Sequence, residues 1–168
     1  AGLDHSQYLD MGSSGGDCDF ADLNVDGYAE IIHSGYWVNA TTIYWNTAGT
    51  FASDDTTQIP NDNGEATYVA DLDADGYLDI ITAGDFNTLY IYWGASGFPH
   101  GWTIGAISSW NLIAKMVHNI ECADFDNDGD LDFLVLHWDG NRNLIQFNNL
   151  GARAFDIDTI SITDVSPD

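Results

Sequence analysis

Short apolar and aromatic runs alternate with polar turns along the whole chain. Three of these runs resemble one another: "IYWNTAGTF" at residues 43–51, "IYWGASGF" at residues 91–98 and "IQFNNLGARAF" at residues 145–155. Each begins with β-branched and aromatic residues, passes through a turn that contains Gly, and ends at a Phe. Runs of this length, bounded by Gly, Asn and Asp, are typical of β-strands joined by hairpins. The pattern predicts an all-β chain.

Further strands are expected around these hairpins. One is predicted directly before each of three acidic segments, in "GDCDFAD", "ATYVAD" and "NIECAD". A fourth strand per unit is expected in the connecting pieces, around residues 56–60, 101–107 and 158–165. The segment "SSWNLIAKMVHNI" at residues 108–120 is the exception, because its apolar residues approximate a helical stripe. A strand is favoured for its second half, and one helical turn stays open for the first.

The acidic segments themselves form a repeat. "DLNVDGYAEII" begins at Asp22, "DLDADGYLDII" at Asp71 and "DFDNDGDLDFL" at Asp124. All share the pattern D-x-[DN]-x-D-G-x-x-[DE] followed by two apolar residues. Units of roughly 50 residues with four short strands are the size of β-propeller blades. The predicted fold is therefore three blade-like repeats of four-stranded antiparallel sheets with acidic loops.

The number of repeats predicts how the domain is organised. We expect a single domain over residues 1–168, with repeats at about 17–51, 66–98 and 119–155 and terminal strands at 1–16 and 156–168. Propellers usually close with about 4 to 8 blades, so three repeats predict an incomplete propeller or one completed by oligomerisation. An unclosed array exposes strand edges and apolar blade faces. Self-association is the expected consequence.

Alternating acids in a loop are suited to calcium. Ca²⁺ takes about six to eight oxygen ligands, and acids at alternate positions with a Gly for the turn can wrap around one ion. One ion per loop gives about three Ca²⁺ in all. The expected ligands are side chains, except for the backbone carbonyl at the seventh position of each loop: Asp22, Asn24, Asp26, Tyr28 and Glu30; Asp71, Asp73, Asp75, Tyr77 and Asp79; Asp124, Asp126, Asp128, Asp130 and Asp132.

Other interpretations of the loops fit less well. The helix-loop-helix calcium site needs a Glu at its twelfth position, where this chain has His33, Thr82 and Val135. Magnesium demands a tighter octahedral geometry and keeps its waters. Acidic β-turns without metal would explain one such loop, since Asp, Asn and Gly favour turns, but not three copies in register.

These motifs resemble a known family. The loop pattern followed by an "IYWNTAGTF"-like strand and turn is similar to the FG-GAP or VCBS repeats of integrin α-chain-like propellers and of many secreted microbial proteins, and the resemblance covers about residues 17–155. It implies propeller blades, structural Ca²⁺ and a secreted or cell-surface location, with adhesive or carbohydrate-associated roles common. The first loop departs from the usual pattern at Asn24 and Glu30.

Composition restricts the partners. The chain has 27 acids against 3 basic residues, for a formal net charge of −24. This charge argues against nucleic acid and anionic membranes, and no apolar stretch is long enough to insert into a bilayer. Hydrophobic residues make up 45% of the chain, so it should fold.

Candidate chemistry beyond the loops is sparse. The five histidines lack the spacing of a zinc site, and no nucleophile or phosphate-binding motif is present, so we expect no enzyme. Trp37 and Trp138 are the candidates for ligand binding, whereas the repeated Tyr-Trp pairs are expected in the core. Asn39 fits a glycosylation sequon. Cys18 and Cys122 are too few for a disulfide framework, and both a single bridge and reduced thiols stay open.

Together these features predict an extracellular calcium-binding repeat protein that acts as a structural or adhesive, self-associating surface subunit. Two alternatives are a lectin-like module that binds carbohydrate and the propeller portion of a secreted polysaccharide-active enzyme. A carbohydrate or protein ligand is the expected partner beside further copies of the chain.

Overall fold

The chain folds into three four-stranded antiparallel sheets, each built from consecutive strands. The structure, a computed structural model, describes residues 14–36, 38–61, 63–84, 88–112, 116–138 and 143–161. The first sheet contains β1 (Ser14–Ala21), β2 (Glu30–Tyr36), β3 (Ala40–Thr47) and β4 (Thr50–Pro60). The second contains β5 (Gly64–Ala70), β6 (Asp79–Gly84), β7 (Thr88–Gly97) and β8 (Gly101–Asn111). The third contains β9 (Met116–Ala123), β10 (Asp132–Trp138), β11 (Asn143–Asn149) and β12 (Phe155–Ser161).

This architecture confirms the predicted all-β fold of blade-like repeats. The three sheets do not close into a barrel, which is consistent with incomplete propeller-like blades. No helix of the described residues could cross a membrane.

Two of the three outermost strands, β4 and β12, begin earlier than the sequence pattern predicts. β4 starts at Thr50, directly after the turn that follows β3, and it contains the predicted residues 56–60. β8 likewise contains residues 101–107. Of the predicted residues 158–165, those up to 161 lie in β12 and the rest are outside the described residues. Exposure explains the missed starts of β4 and β12, because the first residues of both strands are mostly exposed and give no clear apolar pattern.

The helical stripe at residues 108–120 does not form a helix where the structure describes it. Residues 108–111 end β8, and residues 116–120 begin β9. The strand predicted for the second half is confirmed. A helical turn in the first half is wrong for residues 108–111, because they pair with β7 instead.

The sheets stack face to face through two apolar cores. Ile80 and Tyr92 on one face of the second sheet pack with Ile32, Ile43 and Trp45 of the first sheet. We call the face that points to the preceding sheet the front face. On the opposite, rear face of the second sheet, Ile81, Ile91 and Trp93 pack with residues of the third sheet, among them Phe133 and Phe147.

The repeated Tyr-Trp pairs are buried, as predicted. Tyr92 and Trp93 are each 1% exposed, and Trp45 is 2% exposed. In the third sheet the register differs by one residue from the apparent sequence match: Phe147 pairs with Phe133 just as Tyr92 pairs with Ile80. The position of Trp93 is consequently held by Asn148, so the rear face of the third sheet carries an amide in place of an indole.

The inner strands β1, β5 and β9 are tied together by side chains that bind main chain. Thr67 N–H donates to Asp17 Oδ2 at 3.1 Å, and Val69 N–H donates to Asp19 Oδ2 at 2.8 Å. Tyr68 of β5 and Cys122 of β9 both pack against the core between the second and third sheets, and the Cys122 main chain partly offsets the effect of burial, which raises the pKa of the Tyr68 hydroxyl. The two Asp contacts satisfy amides at the free edge of β5.

Candidate metal centre

Three acidic loops join the inner strand of each sheet to its second strand. They span residues 22–30, 71–79 and 124–132, between β1 and β2, β5 and β6, and β9 and β10. The carboxylate at the first position closes each turn by accepting two backbone N–H groups. In the second loop Asp71 accepts from Asp75 at 3.1 Å and from Gly76 at 3.0 Å. The first and third loops repeat both bonds around Asp22 and Asp124.

The remaining loop positions also bind the turn. The third-position side chain accepts the N–H of the fifth residue, as Asp73 does from Asp75 at 3.2 Å. The fifth-position carboxylate accepts the N–H of the seventh residue at 2.9 Å in all three loops. Because the three sequences give the same hydrogen-bond pattern, the loop is one structural motif used three times.

The fourth and sixth loop positions have backbone conformations that favour particular residues. Gly27, Gly76 and Gly129 have φ values of 92°, 90° and 100°, which explains the Gly in the pattern. The fourth position is left-handed as well, with φ of 58° at Val25, 57° at Ala74 and 66° at Asn127. A β-branched residue is strained there, whereas Asn adopts this conformation readily.

The closing acids lie beneath the loops and are fully buried. Glu30, Asp79 and Asp132 are each 0% exposed. Asp79 Oδ2 accepts the Leu72 N–H and its Oδ1 accepts the Gly94 N–H, both at 2.8 Å. Each closing carboxylate thus anchors its loop, and in two sheets it also reaches β7 or the end of β11.

Asp132 and Glu30 differ in this second bond. Asp132 accepts from Phe125 and Asn149, both at 2.8 Å. Glu30 accepts the Leu23 N–H at 2.7 Å, but its Oε1 has no hydrogen-bond partner of good geometry. The Asn46 N–H still favours the ionised form of Glu30 electrostatically. Glu30 thus makes no second hydrogen bond of good geometry like those that Asp79 and Asp132 accept from the third strands of their sheets.

Burial disfavours the charge on two closing acids. Desolvation raises the pKa of Asp79 to about 7, against the opposing effect of the Gly94 and Leu72 N–H groups, and nearby Asp73 and Asp71 raise it further. Desolvation likewise raises the pKa of Glu30 to about 7, with smaller contributions from Asp26 and Asp22. A cation in the loop would favour the ionised forms.

The carboxylate oxygens converge closely enough for one cation. Ligand oxygens of Asp71, Asp73 and Asp79 lie within 4.8 Å of one another, as do those of Asp124, Asp126 and Asp128. Oxygens that share one Ca²⁺ at about 2.3–2.6 Å are at most about 5 Å apart. Hard oxygen donors of this kind fit calcium, and each cluster contains three of the five predicted ligands of its loop. The predicted ligands Asp75 and Asp132 are not part of these clusters. In the first loop the Asn24 amide instead donates to Asp26 at 3.2 Å.

A basic side chain, Arg153, contacts the second loop, and the sequence does not predict this contact. Arg153, from the turn between β11 and β12, donates its Nε–H to Asp73 Oδ2 at 2.6 Å and places Nη2 3.6 Å from Asp75. Its guanidinium also lies 4.8 Å from the Trp93 ring centre. The contact joins residues 80 positions apart, which no local pattern indicates.

The turns between the third and fourth strands cover the preceding loop in two places. Asn149 donates from Nδ2 to the Leu72 carbonyl at 2.7 Å. Gly101 lies beside Asn24 of the first loop, so that a Cβ at Gly101 would be 3.6 Å from the Asn24 Cβ. The first and second loops thus each contact a residue of the following sheet.

The predicted ligand-binding tryptophans are not placed by the structure. Trp37 lies outside the described residues, and of Trp138 only the backbone at the end of β10 is described. An aromatic groove of about 170 Å³ lies elsewhere, lined by Trp45, Phe98, His100 and Trp102 among others. His100 stacks on Trp45 at 4.1 Å between ring centres, and Phe98 is 95% exposed.

The structure also describes the two cysteines and the predicted glycosylation site. Both cysteines are free thiols, so the alternative of a bridge between them is not realised. Burial, with Glu121, Asp19 and Asp132 nearby, raises the pKa of Cys122. Asn39, the predicted glycosylation site, is exposed in the bend between β2 and β3.

Comparison with known proteins bears on the repeat. The family model of the FG-GAP-like repeat matches residues 22–82 and 71–135, which together cover more than half of the chain. The chain belongs to the FG-GAP-like repeat family. Each match begins at the first acid of one loop and ends within the second strand of the next sheet, so the family unit includes the acidic loops. No curated protein matches the sequence significantly. Family and fold together describe a β-propeller-like FG-GAP repeat protein.

Proposed function

We propose that this FG-GAP repeat protein binds calcium in its three loops and acts outside the cell as a structural or adhesive subunit that self-associates. The convergence of the Asp71, Asp73 and Asp79 oxygens within 4.8 Å is the observation that carries the calcium assignment. Three further features support it: the hydrogen-bond pattern repeats in all loops, the closing acids are buried, and burial raises the pKa of Asp79 and Glu30.

Calcium would act on the fold rather than on a substrate. The acids of one loop repel one another unless a cation compensates them, and the closing acid links the loop to a neighbouring strand. Metal-binding free energy therefore adds to the stability of the sheet. Calcium sites of extracellular modules have dissociation constants of about 10⁻⁴–10⁻³ M, which suits calcium concentrations outside cells.

Calcium binding can be tested by unfolding the protein with and without the ion. We expect the unfolding temperature to fall when calcium is chelated and to recover with Ca²⁺ at about 1 mM but not with equal Mg²⁺. Asp75→Asn, at a predicted ligand position, should reduce the calcium-dependent part of the stability. Asp54→Asn, an exposed acid in β4, is the matched control and should leave it unchanged. Identical unfolding curves in calcium and chelator would exclude the assignment.

Self-association is measured on the same samples by light scattering. A mass above the 18.4 kDa of one chain that depends on concentration and calcium is the expected result. A folded monomer at all concentrations would reject the structural-subunit role while leaving calcium binding intact.

A lectin-like role is the second candidate, and the aromatic groove favours it. Sugars bind proteins by stacking on aromatic faces and by hydrogen bonds to polar groups. The groove combines the exposed Phe98 ring with His100, whose Nε2 lies 3.3 Å from Asp55 Oδ1. Glycan-array binding that is lost in Phe98→Ala would support this role. Leu150→Ala changes another exposed apolar side chain and is the control, so it should bind as the wild type does. Absence of any glycan binding by the wild type would reject it.

A further inference from the structure

The junction between the first two sheets differs in polarity from the junction between the second and third. Five of its buried residues are polar, and each is at most 4% exposed: Ser34, Thr41, Asn61, Thr67 and Thr82. We call these residues the polar band. The residues at the equivalent strand positions of the second junction are apolar core residues: Ala83, Leu89, Leu112, Ile120 and Val135.

The part of the polar band that the first sheet supplies is satisfied by hydrogen bonds. Ser34 Oγ lies 2.9 Å from Thr41 Oγ1, and Asn61 Nδ2 donates to the same Thr41 oxygen at 2.7 Å. The Gly64 N–H donates to Asn61 Oδ1 at 3.2 Å. These groups therefore need no further partner.

The second sheet supplies the two remaining hydroxyls. Thr67 pairs with Thr82 as Ile120 pairs with Val135 on the third sheet. The hydroxyl oxygens of Thr67 and Thr82 are buried, and neither has a hydrogen-bond partner among the described residues. Burying a hydroxyl without a partner is costly, and folded proteins satisfy nearly all such groups with protein atoms or with ordered water.

The pairing places these hydroxyls at a suitable distance for one water molecule. Thr67 and Thr82 are directly opposite each other on antiparallel strands. The Cβ atoms of such a pair are about 4.5–5.5 Å apart. A water that forms hydrogen bonds of about 2.8 Å to both hydroxyls can span up to about 5.5 Å. One water can therefore satisfy both.

Smaller side chains face this part of the first junction. Three positions have smaller residues than their equivalents in the second junction: Thr41 for Leu89, Gly64 for Val117 and Thr67 for Ile120. In the opposite sense, Ser34 is larger than Ala83. Fewer side-chain atoms therefore face the interior of the first junction, which favours a bound water over a dry contact.

We propose that the first junction binds an ordered water molecule between the hydroxyls of Thr67 and Thr82. The second junction, with Ile120 and Val135 at these positions, is dry. The two sheet contacts of the chain are thus built differently, one on a hydrated polar band and one on hydrocarbon alone. Thr82 lies toward the end of β6 that is distant from the acidic loop, so this site does not depend on the proposed calcium binding.

Two replacements of the same shape test the proposal by their coupling. Thr67→Val or Thr82→Val removes one partner of the water, so each should raise the equilibrium constant for unfolding in urea about three- to tenfold. The double variant removes both hydroxyls together with the water, so it should unfold no more readily than either single variant. Thr50→Val, at an exposed Thr of β4, is the matched control and should stay within about twofold of the wild type.

Two results on stability would overturn the proposal. Effects that simply add in the double variant would show that the hydroxyls share no water. Stabilisation by each single variant would show that each hydroxyl is buried without a partner.

Magnetic relaxation dispersion of the solvent counts long-lived internal waters directly. The double variant should have one fewer than the wild type and Thr50→Val, and an unchanged count would overturn the proposal. Circular dichroism verifies the fold of each variant. If a Val variant unfolds, a high-resolution crystal structure of the wild type decides the question. Density for a water at about 3 Å from both hydroxyls is expected, and its absence would overturn the site.

Discussion

Asp79→Asn should lower the free energy of unfolding by about 3 kcal/mol in calcium and by clearly less in chelator. The carboxylate is 0% exposed and accepts the Leu72 and Gly94 N–H groups, both at 2.8 Å. An amide accepts only through its oxygen, so its NH₂ group must face one of these donors. A lost hydrogen bond to a charged group costs about 1.5–3 kcal/mol, and a buried N–H left without an acceptor costs about 1–3 kcal/mol.

The loss in free energy of unfolding caused by Asp79→Asn should depend on whether calcium is bound. In chelator, the neutral amide avoids burying a charge that already raises the Asp79 pKa to about 7, and this gain offsets part of the loss. In calcium, the variant loses the hydrogen bond and also one ligand. For a domain of this size each kcal/mol shifts the unfolding temperature by about 2–4 °C, so the expected shift in calcium is about 6–12 °C.

Urea unfolding followed by circular dichroism measures both values on one preparation. Asp156→Asn is the matched control, because Asp156 is an exposed acid that accepts the neighbouring Ile157 N–H. A variant that loses the same stability in calcium and in chelator would show that Asp79 does not bind the ion. A loss below about 0.5 kcal/mol in both would refute the role of the buried hydrogen bonds as well.

Three shorter predictions follow from the other contacts. Val25→Asn should stabilise the first loop by about 1 kcal/mol, since Asn adopts the left-handed φ of 58° readily; urea unfolding in chelator measures it, and a destabilisation would contradict it. Arg153→Gln should lower stability in chelator but strengthen calcium binding at the second loop, because the guanidinium neutralises Asp73; calorimetric titration with no gain in affinity would count against competition. Asp19→Ala should cost about 1–3 kcal/mol, because Val69 N–H loses its acceptor, and unchanged urea midpoints would disprove this.

The loops and hairpins could be predicted from sequence because their determinants are local. Asp71 accepts the N–H groups of Asp75 and Gly76, four and five residues farther along the chain. The spacing of acids and Gly in the sequence therefore indicates these hydrogen bonds directly. Burial of Trp45 and Trp93 followed from their recurrence after the same β-branched residues. A repeated sequence pattern therefore predicts contacts between residues that are close to one another in the chain.

Contacts between sheets could not be predicted in this way. The register of Phe147 is set by its pairing with Phe133, and the sequence match of "IQF" to "IYW" is off by one residue as a result. Arg153 reaches Asp73 only because the third sheet stacks on the second. The early start of β4 depends on pairing with β3 rather than on its own, mostly exposed residues. Each of these features depends on residues far apart in the chain.

The hydrogen bonds that Asp17 and Asp19 accept from β5 do not depend on the side chains of β5. The acceptors are carboxylates, but the donors are the main-chain amides of Thr67 and Val69, which nearly every residue type could supply. The residues at positions 67 and 69 of β5 can therefore change while β1 keeps these two hydrogen bonds. A duplicated or exchanged repeat that keeps the apolar faces of its sheet would therefore find these two hydrogen bonds already available, which favours the growth of repeat arrays during evolution.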